Sequence, residues 1–163
     1  MRIPKLLGLL AVAAALAGCT GQGEEPAPQK VWEPDDALQR AQAALKDPSA
    51  QRVRFGSPHV ASGMDETLET GGDKPYRFDV VCDSSDVRKV TVSFKRGQST
   101  KQTDVACATT TRQQPARVNI PAGGPVTVTI APQSEDLTGL IVWELRTVDP
   151  TKVQGCADDI SGC

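Results

Sequence analysis

One histidine is the main candidate for acid–base chemistry in this 163-residue chain. A hydrolase would have to use that residue, His59, as its general base. Ser62 and Asp65 lie close to His59 in sequence, but the alternation of side chains along a strand would not direct all three to one point. The chain also lacks the G-x-S-x-G motif of serine hydrolases. The sequence therefore predicts no catalytic residue and places His59 at a partly exposed strand edge.

Paired carboxylates are a second candidate, either as acid–base pairs or as cation ligands. They occur at Asp35-Asp36, Asp65-Glu66 and Asp158-Asp159. Because adjacent residues of a strand point to opposite faces, we expect these pairs in solvated turns and at a helix start. The Asp-Ser-Ser-Asp turn at residues 83–86 and the loop with Asp158-Asp159 could bind calcium, although neither has the spacing of an EF-hand loop. We predict no bound metal and no cofactor.

The N-terminus has the layout of an export signal. Arg2 and Lys5 precede an apolar run from residue 6 to residue 17, which is shorter than the roughly 20 residues that a membrane-spanning helix needs. The run ends in Leu16-Ala17-Gly18-Cys19, which resembles the lipobox of bacterial lipoproteins. We assign residues 1–18 to a lipoprotein signal peptide. The alternative is an ordinary secreted protein with a chance cysteine near its cleavage site.

The resemblance implies a lipid anchor on Cys19. In that family the cysteine thiol receives a diacylglyceryl group, the signal is cut just before it, and the cysteine becomes the mature N-terminus. Two or more acyl chains hold a protein stably to a bilayer. The resemblance thus implies an extracytoplasmic protein that is anchored to the cell membrane. After processing, 16 basic and 20 acidic side chains would remain, for a formal net charge of −4.

Four cysteines remain once Cys19 is lipidated, and an even number in an exported chain predicts two disulfides. Of three pairings, Cys82–Cys107 with Cys156–Cys163 is the most economical. The first would join two strands and the second would close a small C-terminal loop, stabilising the fold by about 3.5 and about 2.5 kcal/mol. The alternative is a zinc site, but the chain has no C-x-x-C pair and His59 lies far away in sequence.

The mature chain divides into a lipidated flexible linker, an amphipathic helix, a β-sandwich domain and a disulfide-closed tail, at residues 19–31, 32–48, 49–148 and 149–163. The linker is rich in Gly, Gln, Glu and Pro and has almost nothing to bury. Helical spacing of Leu38, Ala41 and Leu45 predicts a helix over about 34–46. Its apolar face is small, so we expect it to pack loosely or at an edge of the domain.

Alternating apolar and polar residues predict strands from Val53 onwards, separated by Gly-, Pro-, Asp- and Ser-rich turns. An early pair, His59–Ser62 and Glu66–Thr70, is expected to form edge strands. The apolar run from Leu140 to Leu145 predicts a strand that is buried on both faces. We predict a mainly β fold: an antiparallel, jelly-roll-like β-sandwich of seven to nine strands with one short N-terminal helix. Its core would contain Phe78, Phe94 and Trp143.

Four short motifs carry a second resemblance: the Tyr-Arg-Phe-Asp-Val-Val-Cys strand, a cysteine 25 residues later, the Ile-Pro-Ala-Gly-Gly turn and the Thr-Gly-Leu-Ile-Val-Trp strand. This layout resembles small actinobacterial lipoproteins of unassigned function, and also accessory jelly-roll domains of secreted enzymes. It covers roughly residues 50–148. The resemblance implies a fold and a location, but no reaction.

Charge is almost balanced, with 18 basic and 20 acidic side chains, which argues against a nucleic-acid partner. One predicted hairpin is rich in cations: Arg88, Lys89, Lys95, Arg96 and Lys101. These residues could contact anionic envelope material, such as lipid headgroups or wall polymers. The alternative is a charged outer face that discourages edge pairing.

These observations favour a non-catalytic binding or interaction module at the cell envelope. Its expected partners are the membrane, through the lipid anchor, and an envelope protein or an anionic cell-wall polymer. Three alternatives stay open: a regulatory lipoprotein of the envelope-stress response, a hydrolase on the outer side of the membrane, and a lipoprotein that binds a small molecule or a metal.

Overall fold

The computed structural model describes residues 34–153 and Ile160. One helix and eight strands follow one another in the chain: α1 (Ala37–Leu45), β1 (Gln51–Gly56), β2 (Met64–Leu68), β3 (Tyr76–Asp83), β4 (Lys89–Arg96), β5 (Ser99–Ala106), β6 (Ala116–Ile120), β7 (Val126–Ile130) and β8 (Leu140–Thr147). A 3₁₀ turn at Pro150–Lys152 comes after β8. The described helix is too short to cross a membrane.

The strands form two four-stranded antiparallel sheets. Sheet A has the order β1-β8-β3-β6 and sheet B has the order β2-β7-β4-β5. The predicted mainly β sandwich with one short N-terminal helix is therefore confirmed.

The core lies between the sheets, where the apolar residues of each alternating strand point inwards. Phe78 of β3 is at its centre, since its ring stacks on Trp143 and meets Phe94 edge-on, with both centroid distances at 5.3 Å. All three rings are buried, as predicted. Gly56 lies opposite Trp143, and a Cβ atom there would come within 2.5 Å of the indole, so a residue without a side chain is required at the end of β1.

The helix covers the outer face of sheet A. Its buried residues are Ala37, Ala41 and Leu45, and they pack on apolar side chains of β3 and β8, namely Val81, Leu140 and Val142. This contact explains why β8 is buried on both faces, as its sequence predicts. The expectation of a loosely packed or peripheral helix was wrong, because β3 and β8 are the two central strands of sheet A.

The helix differs from the prediction at two points. It begins at Ala37 because Asp36 has a left-handed backbone with φ of 58°, which an α-helix cannot include. Leu38, which was predicted to lie on the apolar face, is 37% exposed. The buried stripe is spaced i, i+4, i+8 from Ala37, so Leu38 lies beside it rather than in it.

The first predicted edge strand, His59–Ser62, is a turn. The amides of Ser62 and Gly63 both donate to the carbonyl of His59, and His59 forms only an isolated bridge with Leu140. The second corresponds to β2, which ends at Leu68 rather than at Thr70.

Cys82 and Cys107 form the predicted disulfide, with 4.5 Å between their Cα atoms. Cys82 belongs to β3 of sheet A, and Cys107 follows β5 of sheet B, so the bond joins the two sheets. Cys19, Cys156 and Cys163 lie outside the described residues. Ile160, between the last two, is fully buried in the core.

Candidate functional site

Four charged residues meet on the outer face of sheet A, beneath the C-terminal end of α1. Along β3, Arg77 and Asp79 alternate with the core residues, and along β8 Glu144 and Arg146 do the same. The register pairs Arg77 with Arg146 and Asp79 with Glu144. Each arginine therefore has a carboxylate two residues along its own strand on the same face of the sheet.

These side chains form a continuous network of ion pairs. Arg77 donates from Nε to Asp79 Oδ1 (2.6 Å) and from Nη2 to Asp79 Oδ2 (2.7 Å). Arg146 Nη2 bonds Glu144 Oε2, and Arg146 Nε lies 3.5 Å from Asp79 Oδ2. Asp79 has no exposed surface. A buried carboxylate is tolerated only when it is paired and hydrogen-bonded, and these arginines meet that need.

Arg146 also fastens the end of the helix to sheet A. Its Nη1 donates to the carbonyls of Asp47 and Ala50 (both 2.9 Å), and its Nη2 donates to the carbonyl of Leu45 (3.0 Å). The last carbonyls of a helix have no partner within the helix and carry partial negative charge. A buried guanidinium at this position therefore satisfies them and stabilises the turn that follows α1.

Two further ion pairs connect the α1 region with sheet A. Arg40 donates from Nε and Nη2 to the two oxygens of the buried Asp83, each at 2.8 Å, and this hydrogen bonding raises the pKa of Arg40. Arg77 Nη2 donates to Asp47 Oδ2 at 2.7 Å. Hydrogen bonds from Ser49, and then from Arg77, hold the pKa of Asp47 well below its usual range.

A cleft of about 410 Å³ opens beside this network, between the end of α1 and the edge strand β1. Glu144 and Arg146 line its floor, and the side chains around it include Lys46 and Arg52. Arg52 Nη1 bonds Glu144 Oε1 at 3.0 Å, while about half of the Arg52 side chain is exposed. Its guanidinium lies 5.6 Å from the centroid of the Phe55 ring.

The β1 strand that borders the cleft is exposed along residues 51–55. Val53 and Phe55 are two of the three large hydrophobic residues that are exposed in the described part of the chain, at 48% and 36%. Arg54 lies on the other side of β1 and donates to Glu66 (2.7 Å) and to the carbonyl of Thr67 (3.1 Å), across to sheet B. The site thus combines an accessible strand edge, two apolar side chains and arginine charges.

The buried carboxylates of this region are all engaged by arginine. Within residues 34–153, the buried carboxylates are Asp79, Asp83 and Glu144, and each accepts hydrogen bonds from an arginine. The oxygens of these carboxylates are therefore engaged within the ion-pair network of sheet A.

The residues considered for hydrolysis do not line one common cavity. Ser62 and Asp65 line one shallow cavity of about 380 Å³, but His59 does not line it. The Asp83–Asp86 turn uses its carboxylates internally: Asp83 binds Arg40, and Asp86 accepts from the amide (2.9 Å) and the hydroxyl (2.7 Å) of Thr138. The Thr138 bonds lower the pKa of Asp86. Among the described residues, no three His, Cys, Asp or Glu side chains are grouped to hold a metal.

The five cations of the predicted hairpin do not share one face. Lys89 and Lys95 point outwards from sheet B, and Lys89 pairs with Asp104 at 2.5 Å. Lys101 lies opposite the core residue Phe94, on the inner side of the edge strand β5. Arg96 is half-buried, donates to Thr70 Oγ1 (2.9 Å) and to the carbonyl of Pro121 (2.7 Å), and has its pKa lowered by burial. Arg88 is exposed in the preceding loop. Their contact with anionic material stays a prediction.

The features that the sequence pattern did not single out are Asp79, Glu144, Arg146 and the exposed edge of strand β1. A signal for the first three does exist, since Glu144 and Arg146 interrupt an otherwise apolar run and Asp79 lies among Phe78, Val80 and Val81. Charged residues at alternate positions of such runs indicate a face that is covered by another element.

No family model matches the chain, and no curated protein matches it.

Proposed function

We propose that this protein is a membrane-anchored extracytoplasmic lipoprotein, and that its β-sandwich domain is a non-catalytic binding module at the cell envelope. The N-terminal pattern that ends in Leu16-Ala17-Gly18-Cys19 supports the location. The observation that carries the binding function is the accessible β1 edge with its adjoining cleft, which lies beside carboxylates already committed to arginine. On this proposal the domain acts by holding a partner near the membrane.

The anchor is tested by expressing the full chain with Cys19→Ser in a bacterium that processes lipoproteins. The variant should lack the diacylglyceryl group, as mass spectrometry would show, and should move from the detergent phase to the aqueous phase in phase partitioning. Thr20→Ser is the matched control, because it changes the neighbouring residue and keeps the cysteine. Unchanged partitioning of the Cys19→Ser protein would contradict the anchor.

The binding function is tested in intact cells by crosslinking. A photo-reactive amino acid at residue 53 should capture a discrete envelope partner, whereas the same group at residue 129, on the outer face of sheet B, should not. Capture of equal amounts of the same species at both positions would count against a specific site on sheet A.

A further inference from the structure

We infer that β1 is a docking edge for an extended acidic segment of a partner protein, which adds a fifth strand to sheet A. The inference rests on the proposed binding function and names the partner of that same site. It does not depend on the lipid anchor.

The backbone of β1 is available for such pairing. Within the described residues β1 pairs with β8 alone, so its other edge has unpaired amide and carbonyl groups. An edge strand of this kind is a template for another chain, and strand addition is a common way of binding peptides. Residues 51–55 are all exposed, which is not the case for β2, β5 or β6, the other three edge strands.

Apolar contact comes from Val53 and Phe55. A large exposed apolar side chain is unremarkable when it stands alone, but here two of three in the described chain lie on one edge strand, two residues apart. Phe55 lies opposite Glu144, so its ring is on the outer face of sheet A beside the cleft. An added strand would cover this ring with one of its own side chains.

Charge selects the partner. Arg52 and Arg54 pair with Glu144 and Glu66, yet about half of each arginine side chain stays exposed on β1. Lys46 lines the adjoining cleft. In antiparallel pairing of β1 with a second copy, these arginines would face like charges, which is destabilising. An acidic strand would instead meet opposite charges, each pair strengthening binding about 1.5- to 5-fold.

The bulge in β1 agrees with this selectivity. The register with β8 shifts between Arg52 and Arg54, so Val53 has no direct partner on β8. Bulges bend edge strands and protect them from indiscriminate pairing. The bulge and the arginines together disfavour pairing between copies, and leave a complementary acidic segment as the occupant that the edge accepts.

The test uses the full-length protein, purified in detergent from whole-cell extract, and a fluorescein-labelled ten-residue peptide in which glutamate alternates with valine. A matched peptide has lysine in place of glutamate, and polyphosphate represents an anionic polymer. Titration followed by fluorescence anisotropy should show that the glutamate peptide binds with a Kd at least tenfold lower than that of the lysine peptide. It should also slow hydrogen exchange of the amides of residues 51–56.

Two variants locate the contact. Arg54→Gln and Phe55→Thr should each raise the Kd of the glutamate peptide about three- to tenfold. Arg117→Gln, on the edge strand β6 at the opposite side of sheet A, is the matched control and should leave affinity unchanged within twofold. Circular dichroism melts of the variants report whether each one is folded.

Four results would overturn the inference: no binding, protection of a segment other than β1, equal weakening by Arg117→Gln, or polyphosphate binding that competes with the peptide without protecting β1 amides. A concentration-dependent dimer with protected β1 amides in the absence of peptide would assign the edge to a second copy. Each of these leaves the partitioning of Cys19→Ser unaffected, so a failure here is distinguishable from a failure of the anchor.

Discussion

The outer faces of the two sheets follow the same alternation and yet have opposite character. On sheet A, the outward positions of the central strands include Asp79, Val81 and Val142, which are all buried, and the two valines pack against α1. On sheet B, the equivalent positions of β4 and β7 include Thr91 and Thr129, which retain solvent contact. The helix is what makes the difference, because it turns one face of a four-stranded sheet into a second interior.

Burial changes what an ion pair contributes on each face. Lys89 and Asp104 on sheet B are more than half exposed, and such a pair is screened by water and salt. Asp79 is fully buried beside Arg77 and Arg146, where loss of one partner leaves uncompensated charge in a poorly solvated place. The contribution of an ion pair to the stability of this protein therefore depends on how deeply the pair is buried, and the number of ion pairs on a face is a poor guide to it.

Asp79→Ala is expected to have the largest effect. Removal of this carboxylate leaves Arg77 and Arg146 without their shared partner, and should lower the free energy of unfolding by about 3–5 kcal/mol in urea denaturation. Asp104→Ala on sheet B is the matched control and should shift the urea midpoint far less than Asp79→Ala does. Comparable losses for the two variants would contradict the contrast between the faces.

Leu45→Ala tests the apolar part of the helix contact and should have the next largest effect. Leu45 is buried on Val81 and Val142, so its truncation should cost about 3 kcal/mol. Leu38 lies on the same helix and is 37% exposed, and Leu38→Ala should cost about 0.5 kcal/mol or less. Thermal and urea unfolding of the pair measure this directly, and equal losses would mean that α1 does not bury one defined face.

Local pattern was sufficient to predict most of the strands and which of their residues face the core. The alternation around Phe78 and Phe94, the continuous run at Leu140–Leu145 and the pairing of Cys82 with Cys107 each depend on residues that are close in sequence or on simple counting. The number of strands and the position of the core rings follow from the same periodicity.

The burial of the outer face of sheet A by α1 and the register of the strands could not be predicted in the same way, since both depend on residues far apart in sequence. Arg146 binds the carbonyl of Leu45 across 101 positions, and nothing local to either residue shows that contact. The cationic hairpin was divided between two faces because Lys101 lies opposite Phe94, a fact that requires the pairing of β4 with β5. Likewise, the alternation at Val53 and Phe55 indicates a strand, but nothing local shows that both side chains lie exposed on an edge strand.

The smallest expected effect is that of acid on stability. Low pH should reduce the contribution of carboxylates on both sheets to the free energy of unfolding, but salt should affect the two sheets differently. The pKa of Asp47 is held well below its usual range by Ser49 and Arg77. Between that low value and the unfolded pKa near 3.9, the unfolded chain binds more protons than the folded one, so stability falls as the pH falls. The contribution of Asp47 is therefore complete above about pH 4 and is lost progressively below it.

Asp47→Asn should accordingly lower stability at pH 7 and flatten the acid limb, so that wild type and variant converge as the pH falls from 4 towards 2. The pKa of Asp104 is lowered chiefly by its hydrogen bond from Lys89, so the contribution of Asp104 to stability should also be lost as the pH falls. Because Asp104 is exposed, 1 M NaCl should abolish the stability difference between wild type and Asp104→Ala. The difference between wild type and Asp47→Asn should persist in salt, because the Asp47 side chain is largely buried near the end of α1. Urea midpoints at pH 7, 5, 4 and 3, with and without salt, measure both. Loss of the Asp47 difference in salt would mean that the sheet A network is as open to solvent as the surface of sheet B.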